Sequence, residues 1–151
     1  MAQSEIGRQY IDLLLQKSAA IERALTATKN AVFDENSKEI EKESQNFADL
    51  YEKRENIITM IESIDYAIST FDIQDITDGD FLESIANINK KIQSNAKEIV
   101  ELDKINIEKG KKISAALKTD IKEIRQNRAA NNRYYSDDFL DSEGHFIDKK
   151  N

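Results

Sequence analysis

Apolar and small residues recur at spacings of three and four from Asp80 to about Arg128, which predicts one long amphipathic helix. The row consists of Ile85, Ile88, Ile92, Ala96, Ile99, Leu102, Gly110, Ile113, Leu117, Ile121 and Ile124, and only Asn106 interrupts it. The 151 residues contain no proline, so nothing forces such a helix to stop. A rod of this kind has a large surface and little enclosed pocket, which favours protein binding over catalysis.

Two further helical patterns precede this one. The expected helices span about residues 4–32, 36–70 and 80–132, and residues 133–151 are expected to form a flexible tail. Asn36 with Glu39, and Asp80 with Glu83, have the spacing of N-cap pairs at the starts of the second and third helices. The sequence therefore predicts an all-α fold, an elongated antiparallel bundle of three long helices in one domain, residues 1–132.

The third helix is longer than the helices that could cover it. A turn centred near Asp75 sets Ile40 opposite Gly110, and a first helix turning near Phe33 covers the second over its whole length. Everything beyond about Ser114 then lacks a partner, an overhang of about 18 residues or roughly 27 Å. The apolar residues expected to be exposed there are Ile113, Leu117, Ile121 and Ile124.

A four-helix alternative also fits the pattern. Glycine in a helix interior costs about 1 kcal/mol relative to alanine, so the third helix could break at Gly110. The last segment would then fold back as a fourth helix and bury its own apolar face.

Charge is spread unevenly along a chain whose net charge is −7. Residues 34–65 contain ten acids and four bases, whereas residues 104–133 contain nine bases and three acids. One interpretation is that solvated faces of neighbouring helices attract each other. The other is a basic face for an acidic partner or RNA. No aromatic residue is interleaved with these bases before Tyr134 and Tyr135, which argues against RNA.

The chain has no constellation that suggests catalysis or a cofactor. It lacks cysteine, and its one histidine, His145, lies in a polar segment near the C-terminus. No Glu-x-x-His pair, phosphate-binding loop or zinc spacing occurs, so we expect no enzyme activity, cofactor or metal. No apolar run approaches the roughly 20 residues of a membrane span, and no signal peptide is evident, which together fit the cytosol.

The segment Ala129–Asn151 loses the helical period. Its apolar points, within a polar and acidic strip, are Phe139, Leu140, Phe146 and Ile147. It is either a frayed terminus or a short element that docks on another protein.

In order and length these elements resemble the FlgN/FliT type of flagellar type III export chaperone, in its Gram-positive-like branch. The segments that carry the resemblance are residues 10–15 (YIDLLL), 50–58 (LYEKRENII), 98–106 (EIVELDKIN) and 144–150 (GHFIDKK). The resemblance implies a helical, non-enzymatic chaperone that binds the C-terminal end of a late export substrate. That substrate is a hook–filament junction protein for the FlgN branch and the filament cap for the FliT branch.

The resemblance also implies roles for individual residues. Client binding would fall on Ile113, Leu117, Ile121 and Ile124, and docking on the cytosolic domain of the export gate on Tyr134 or Tyr135, with Phe146 as a further candidate. The implied protein is a cytosolic monomer or weak homodimer that binds no nucleic acid. Two alternatives stay open: a structural coiled coil that dimerises through the isoleucine row, and a basic-faced module for RNA or an acidic partner.

Overall fold

The chain folds into three helices of unequal length. The computed structural model describes the backbone of residues 3–138 and the side chains of residues 4–132. The elements are α1 (Gln3–Asn30), α2 (Ile40–Ser69), one 3₁₀ turn (Ile73–Asp75) and α3 (Gly79–Asp138). This part of the chain contains no strand, so the predicted all-α fold is confirmed. With 60 described residues, α3 is about twice as long as α1 or α2, and it continues through Asp138, past the end expected at 132.

Contacts between the helices define their directions. Residue numbers rise together between α1 and α3, and in opposite senses between α1 and α2. The contacts are Lys91–Glu22 and Lys29–Glu98 in the first case, and Lys17–Asp65 and Arg23–Met60 in the second. Helix α1 therefore runs parallel to α3 and antiparallel to α2, as expected for an up-down-up bundle.

The helix starts differ from the predicted caps. Helix α2 begins at Ile40, and no side chain caps its first turn. Asn36 lies instead in a turn, where its backbone N–H donates to Asp34 Oδ1 at 2.9 Å. The capping side chain of α3 is Asp78, whose Oδ1 accepts the backbone N–H of Asp80 at 2.8 Å. Both predicted N-caps are therefore wrong by a few residues.

Helix α3 passes through Gly110 without a break, which excludes the four-helix alternative. The ring of Phe47 from α2 lies directly over this glycine. A Cβ atom added at Gly110 would lie 2.7 Å from Cζ of Phe47, closer than packed carbon atoms can approach. Gly110 is thus a notch that admits an aromatic ring between two helices.

The register of α2 on α3 differs from the expected one by seven residues, about two turns. Phe47, and not Ile40, lies opposite Gly110. One heptad further along, the guanidinium of Arg54 pairs with the carboxylate of Asp103. In the same register Ile40, at the start of α2, lies level with Leu117 of α3.

The connection before α3 causes this shift. Ile76 is buried with Tyr10 and Ile85 beyond the last turn of α2. The chain therefore continues past the end of α2 before α3 begins, and the first turns of α3 pack on α1. The ring of Phe81 lies against Gly7 in the same region.

The core consists of three clusters along the bundle. The cluster near the start of α1 is Tyr10, Leu14, Ile76 and Ile85; the central cluster is Ala20, Ile21, Ala24, Leu25, Ile57, Ile92 and Ile99; the third is Phe33, Ile40, Leu50 and Ile113. Each cluster contains a residue of α3 from the row at heptad spacing. The isoleucine row therefore lies inside the bundle as far as Ile113.

Residues 31–39 replace a helix in the third cluster. Helix α1 ends at Asn30, so the expectation that it covers α2 over its whole length is wrong. Phe33 of the connecting segment is buried, and its ring centroid lies 4.7 Å from that of Phe47. This aromatic pair fills the end of the bundle that α1 does not reach, and α3 continues by itself only beyond Leu117.

The notch at Gly110 predicts an unusual outcome for a helix-favouring substitution. Gly110→Ala should lower the free energy of unfolding by about 1–3 kcal/mol, because displacing Phe47 outweighs the gain of roughly 1 kcal/mol in helix propensity. Urea unfolding measures the change. Gly79→Ala is the matched control, since nothing lies within 4 Å of a Cβ there, and it should be neutral or stabilising. Equal behaviour of the two variants would contradict the contact.

Candidate helix-binding surface

The bundle covers more of α3 than the sequence suggested. Ile113 is only 2% exposed and packs with Phe33, Ile40 and Leu50. Its expected exposure is wrong, because the shifted register brings the start of α2 and the segment before it over this part of α3. Ile113 is therefore a core residue and is not available to a client.

Leu117 marks the edge of the bundle. It is half-buried, and it packs with Ala116 against the third core cluster. Every residue from Lys118 to Asn131 is exposed. The expected exposure of the last two positions agrees with the structure: Ile121 is 41% and Ile124 46% exposed. We call residues 118–138 the overhang; at helical rise its 21 residues extend about 31 Å.

Residues 118–131 of the overhang are exposed throughout, so these turns of α3 have little tertiary support. An isolated helix shorter than roughly 12–15 residues is marginal in water, and one of this length gains little beyond that without a packed face. Ile121 and Ile124 expose apolar area on this part of the helix, where no other element of the bundle packs against them. A partner that packs on this side would stabilise the helix and bury the isoleucines in one step.

A cleft of about 680 Å³ separates the overhang from the start of α2. Its lining residues are Lys38, Glu39, Ile40, Glu41 and Lys42 from α2 and the residues before it, and Asp120, Glu123, Ile124 and Asn127 from α3. Ile124 is the exposed apolar residue on the α3 side, and charged groups of both signs surround it. The cleft gives a partner access to the apolar side of the overhang.

A second groove lies between α2 and α3 and has the same volume, about 680 Å³. Its lining includes Phe47, Ala48, Ile107, Gly110 and Leu117, and no residue of α1 contributes. Sequence reasoning missed this groove. Its signal was present in the row Val100, Ile107, Ser114 and Ile121, which repeats every seven residues beside the core row.

A polar cluster fixes the middle of the contact between α2 and α3. The side chains of Arg54 and Asp103 are 14% and 21% exposed, and the Arg54 guanidinium carbon lies 5.6 Å from the ring centroid of Tyr51. Burial, and then the Asp103 carboxylate, raise the pKa of Tyr51 above its ordinary 10.0, while Arg54 opposes the shift. The Tyr51 side chain is therefore neutral at physiological pH, and its ring packs against the Arg54 guanidinium.

The acidic segment 34–65 and the basic segment 104–133 are joined by one ion pair among the described residues. In this pair Lys112 lies 3.3 Å from Glu35. Residues 118–131 of the overhang have four exposed bases, Lys118, Lys122, Arg125 and Arg128, against two acids, Asp120 and Glu123. Direct ion pairs between the two segments therefore account for little of the asymmetry, and residues 118–131 keep a positive surface.

Within residues 4–132 the structure holds no cluster of metal-ligating side chains, and each buried side-chain nitrogen or oxygen there has a hydrogen-bond partner. None of the three helices carries an apolar stretch sufficient to cross a membrane. The backbone of Tyr134 and Tyr135 belongs to the last turns of α3, but their side chains lie outside the described set. His145 and Phe146 lie outside the described residues altogether.

No protein-family model, curated protein or solved structure matches this chain. A function can therefore be inferred only from the overhang, the cleft and the groove, and from the resemblance of four sequence segments to the FlgN/FliT type.

Polar substitutions along one row of α3 should separate core from surface. Ile113→Ser should cost about 2–5 kcal/mol in the free energy of unfolding, as buried isoleucines do. Ile121→Ser and Ile124→Ser should stay within about 0.5 kcal/mol, and Leu117→Ser should fall between. Urea titration followed by circular dichroism gives the four values. A cost at Ile121 equal to that at Ile113 would mean that the overhang is covered.

Proposed function

We propose that this protein is a cytosolic export chaperone of the FlgN/FliT type. It binds the helical C-terminal end of a late flagellar export substrate, a hook–filament junction or filament cap protein, and delivers it to the export gate. The observation that carries the proposal is the overhang, a helix that leaves the bundle with Ile121 and Ile124 exposed on one side. Leu117 at the bundle edge extends that surface toward the core.

The chemistry of the overhang favours an amphipathic helix as the client. A helix that packs on Leu117, Ile121 and Ile124 removes apolar surface from water, at roughly 25 cal/mol per Å². The bases around these residues favour a client whose flanks carry Asp or Glu. A second helix against the overhang also supplies the packing that a single helix in water lacks.

Release of the client needs no nucleotide in this scheme. A disordered client terminus loses conformational entropy when it folds on the overhang, and this loss offsets part of the gain from apolar burial. The complex therefore stays weak enough to transfer. Delivery requires a second contact, for which the candidates are Tyr134, Tyr135 and Phe146, because an aromatic ring buries apolar area and a tyrosine hydroxyl retains a hydrogen bond.

The two alternative functions find less support. A coiled-coil zipper would need the isoleucine row as its seam, but Ile85, Ile92, Ile99 and Ile113 are buried within one chain. An RNA-binding surface would gain from aromatic rings among the bases, and residues 104–132 contain none.

The client surface can be tested without disturbing the fold. Ile121→Ser and Ile124→Ser should each weaken binding of a C-terminal client peptide by roughly tenfold or more, because each isoleucine loses its burial against the client. Isothermal titration calorimetry with peptides from junction and cap proteins measures the affinity.

The matched control is Ile105→Ser. Ile105 is 56% exposed and lies roughly 160° around the helix from Ile121, so its loss should leave affinity unchanged. Equal losses for all three variants, or binding that survives both overhang substitutions, would contradict the proposed surface.

Delivery is tested separately from binding. Truncation after Arg133 removes Tyr134, Tyr135 and Phe146 but leaves the core clusters and Ile124 in place. The truncated protein should fold and bind client with unchanged affinity, yet fail to support client secretion in motile cells or to bind the gate's cytosolic domain. Tyr134→Ala and Tyr135→Ala then identify the ring that docks. Normal secretion by the truncated form would show that the C-terminal segment has no role in delivery.

A further inference from the structure

The face between α2 and α3 has an apolar centre and one charged edge on each helix. On α3 the exposed residues beside the contact with α2 repeat every seven positions: Val100, Ile107 and Ser114. Val100 is 53% and Ile107 45% exposed. The next row outward is basic and exposed: Lys97, Lys104, Lys111, Lys118 and Arg125. Together these rows form an apolar strip with a positive edge.

Helix α2 has the same arrangement with the opposite charge. Its row beside the contact is Ser44, Tyr51 and Ile58, of which Ile58 is 46% exposed. The next row outward is Glu41, Ala48, Glu55 and Glu62, all exposed. The open groove that contains Phe47 and Ile107 lies between the two strips.

The two edges carry their charges at the same levels along the bundle. Taking the register from Phe47 opposite Gly110, each of the three glutamates lies within two residues, about 3 Å, of the level of a lysine on α3. The level partners are Glu62 with Lys97, Glu55 with Lys104 and Glu41 with Lys118. Within one chain they stand on opposite sides of the groove, and none of these pairs forms an ion pair across it.

We propose that this face binds a second copy of the chain in a parallel two-fold dimer. A two-fold axis parallel to the helices keeps every residue at its own level and sets α2 of one copy over α3 of the other. Each acidic edge then faces a basic edge, and Glu55 lies across from Lys104 of the partner subunit. The apolar strips meet at the centre, where Val100, Ile107 and Ile58 become buried.

Other arrangements fit less well. A two-fold axis perpendicular to the helices sets the basic edge on the basic edge, and like charges at that distance repel. An unrelated client helix would need only one sign of charge, so it gives no reason for acids and bases at matched levels. A self-complementary pattern is what an isologous interface requires.

The dimer leaves Ile121 and Ile124 of the client surface free, and Leu117 lies at the boundary between the two surfaces. Helix α2 begins at Ile40, level with Leu117, so Ile121 and Ile124 extend beyond the paired faces. The proposal therefore does not depend on the function proposed above, and either can fail alone.

The first test is sedimentation velocity of the full chain over a wide range of concentrations. The wild type should show a reversible monomer–dimer equilibrium, and Ile107→Glu should abolish the dimer. Ile105→Glu is the control, since this residue is 56% exposed but lies on another side of α3. Circular dichroism of both variants confirms that helical content is retained. A monomer at every concentration, or a dimer that survives Ile107→Glu, would overturn the proposal.

Charge reversal tests the orientation. Lys104→Glu places a second acid against Glu55 at two symmetric positions and should raise the dissociation constant about tenfold. The double variant Glu55→Lys with Lys104→Glu should restore the affinity. Failure of the double variant to recover would contradict the parallel arrangement.

Cysteine cross-linking supplies an independent readout, because the chain has no native cysteine. An oxidised mixture of Glu55→Cys chains with Lys104→Cys chains should form mixed disulfide dimers. A mixture of Glu55→Cys with Lys90→Cys should not, since Lys90 lies about 21 Å from Lys104 along the helix.

The Ile107→Glu variant also distinguishes a client from a second copy. If the wild type is a monomer and Ile107→Glu prevents binding of a client peptide, the groove belongs to the client and the dimer is wrong.

Discussion

The contact of Phe47 with Gly110, together with the Arg54–Asp103 pair one heptad away, fixes how α2 lies on α3. A helix with apolar residues at heptad spacing can slide by seven residues and still bury an apolar row. The notch and the half-buried ion pair remove that freedom: a slip would press Phe47 onto a Cβ atom and leave two charges unpaired in a partly buried position. The register in turn determines where cover of α3 ends, and so which isoleucines face solvent.

Unequal helix length then produces the surfaces on which a function can be built. Helices of 28 and 30 residues cannot cover one of 60, even with the segment 31–39 extending the bundle beyond α1. The first part of the surplus, residues 118–131, has four bases against two acids and has isoleucines on one side. Helix α1 packs against both other helices, whereas the contact between α2 and α3 is the sparsest of the three and leaves an open groove between them. The client surface and the dimer face are therefore two consequences of a single arrangement.

The sequence predicted the helices well, since periodicity and the absence of proline are local properties. It also predicted that α3 is longer than α1 and α2 and extends beyond them, which follows from counting residues. The register could not be derived in this way, because the path of the connection depends on Ile76 reaching a buried position beside Tyr10, a contact between distant residues. Ile113 was assigned to the surface for that reason alone. Helix propensity alone marks Gly110 as a position where α3 could break. Its role in admitting a ring is visible only from the contact with Phe47.

Amide hydrogen exchange along α3 tests most directly whether the bundle ends at Leu117. Amides between Ile85 and Ile113 should exchange only through global unfolding, because their side chains lie in the core clusters. Amides from Ile121 to Asn131 should exchange through local opening of a helix with no tertiary cover, at rates far closer to those of an unstructured peptide. A sharp loss of protection just after Leu117 is the predicted result. Uniform protection through residue 131 in the free protein would contradict it.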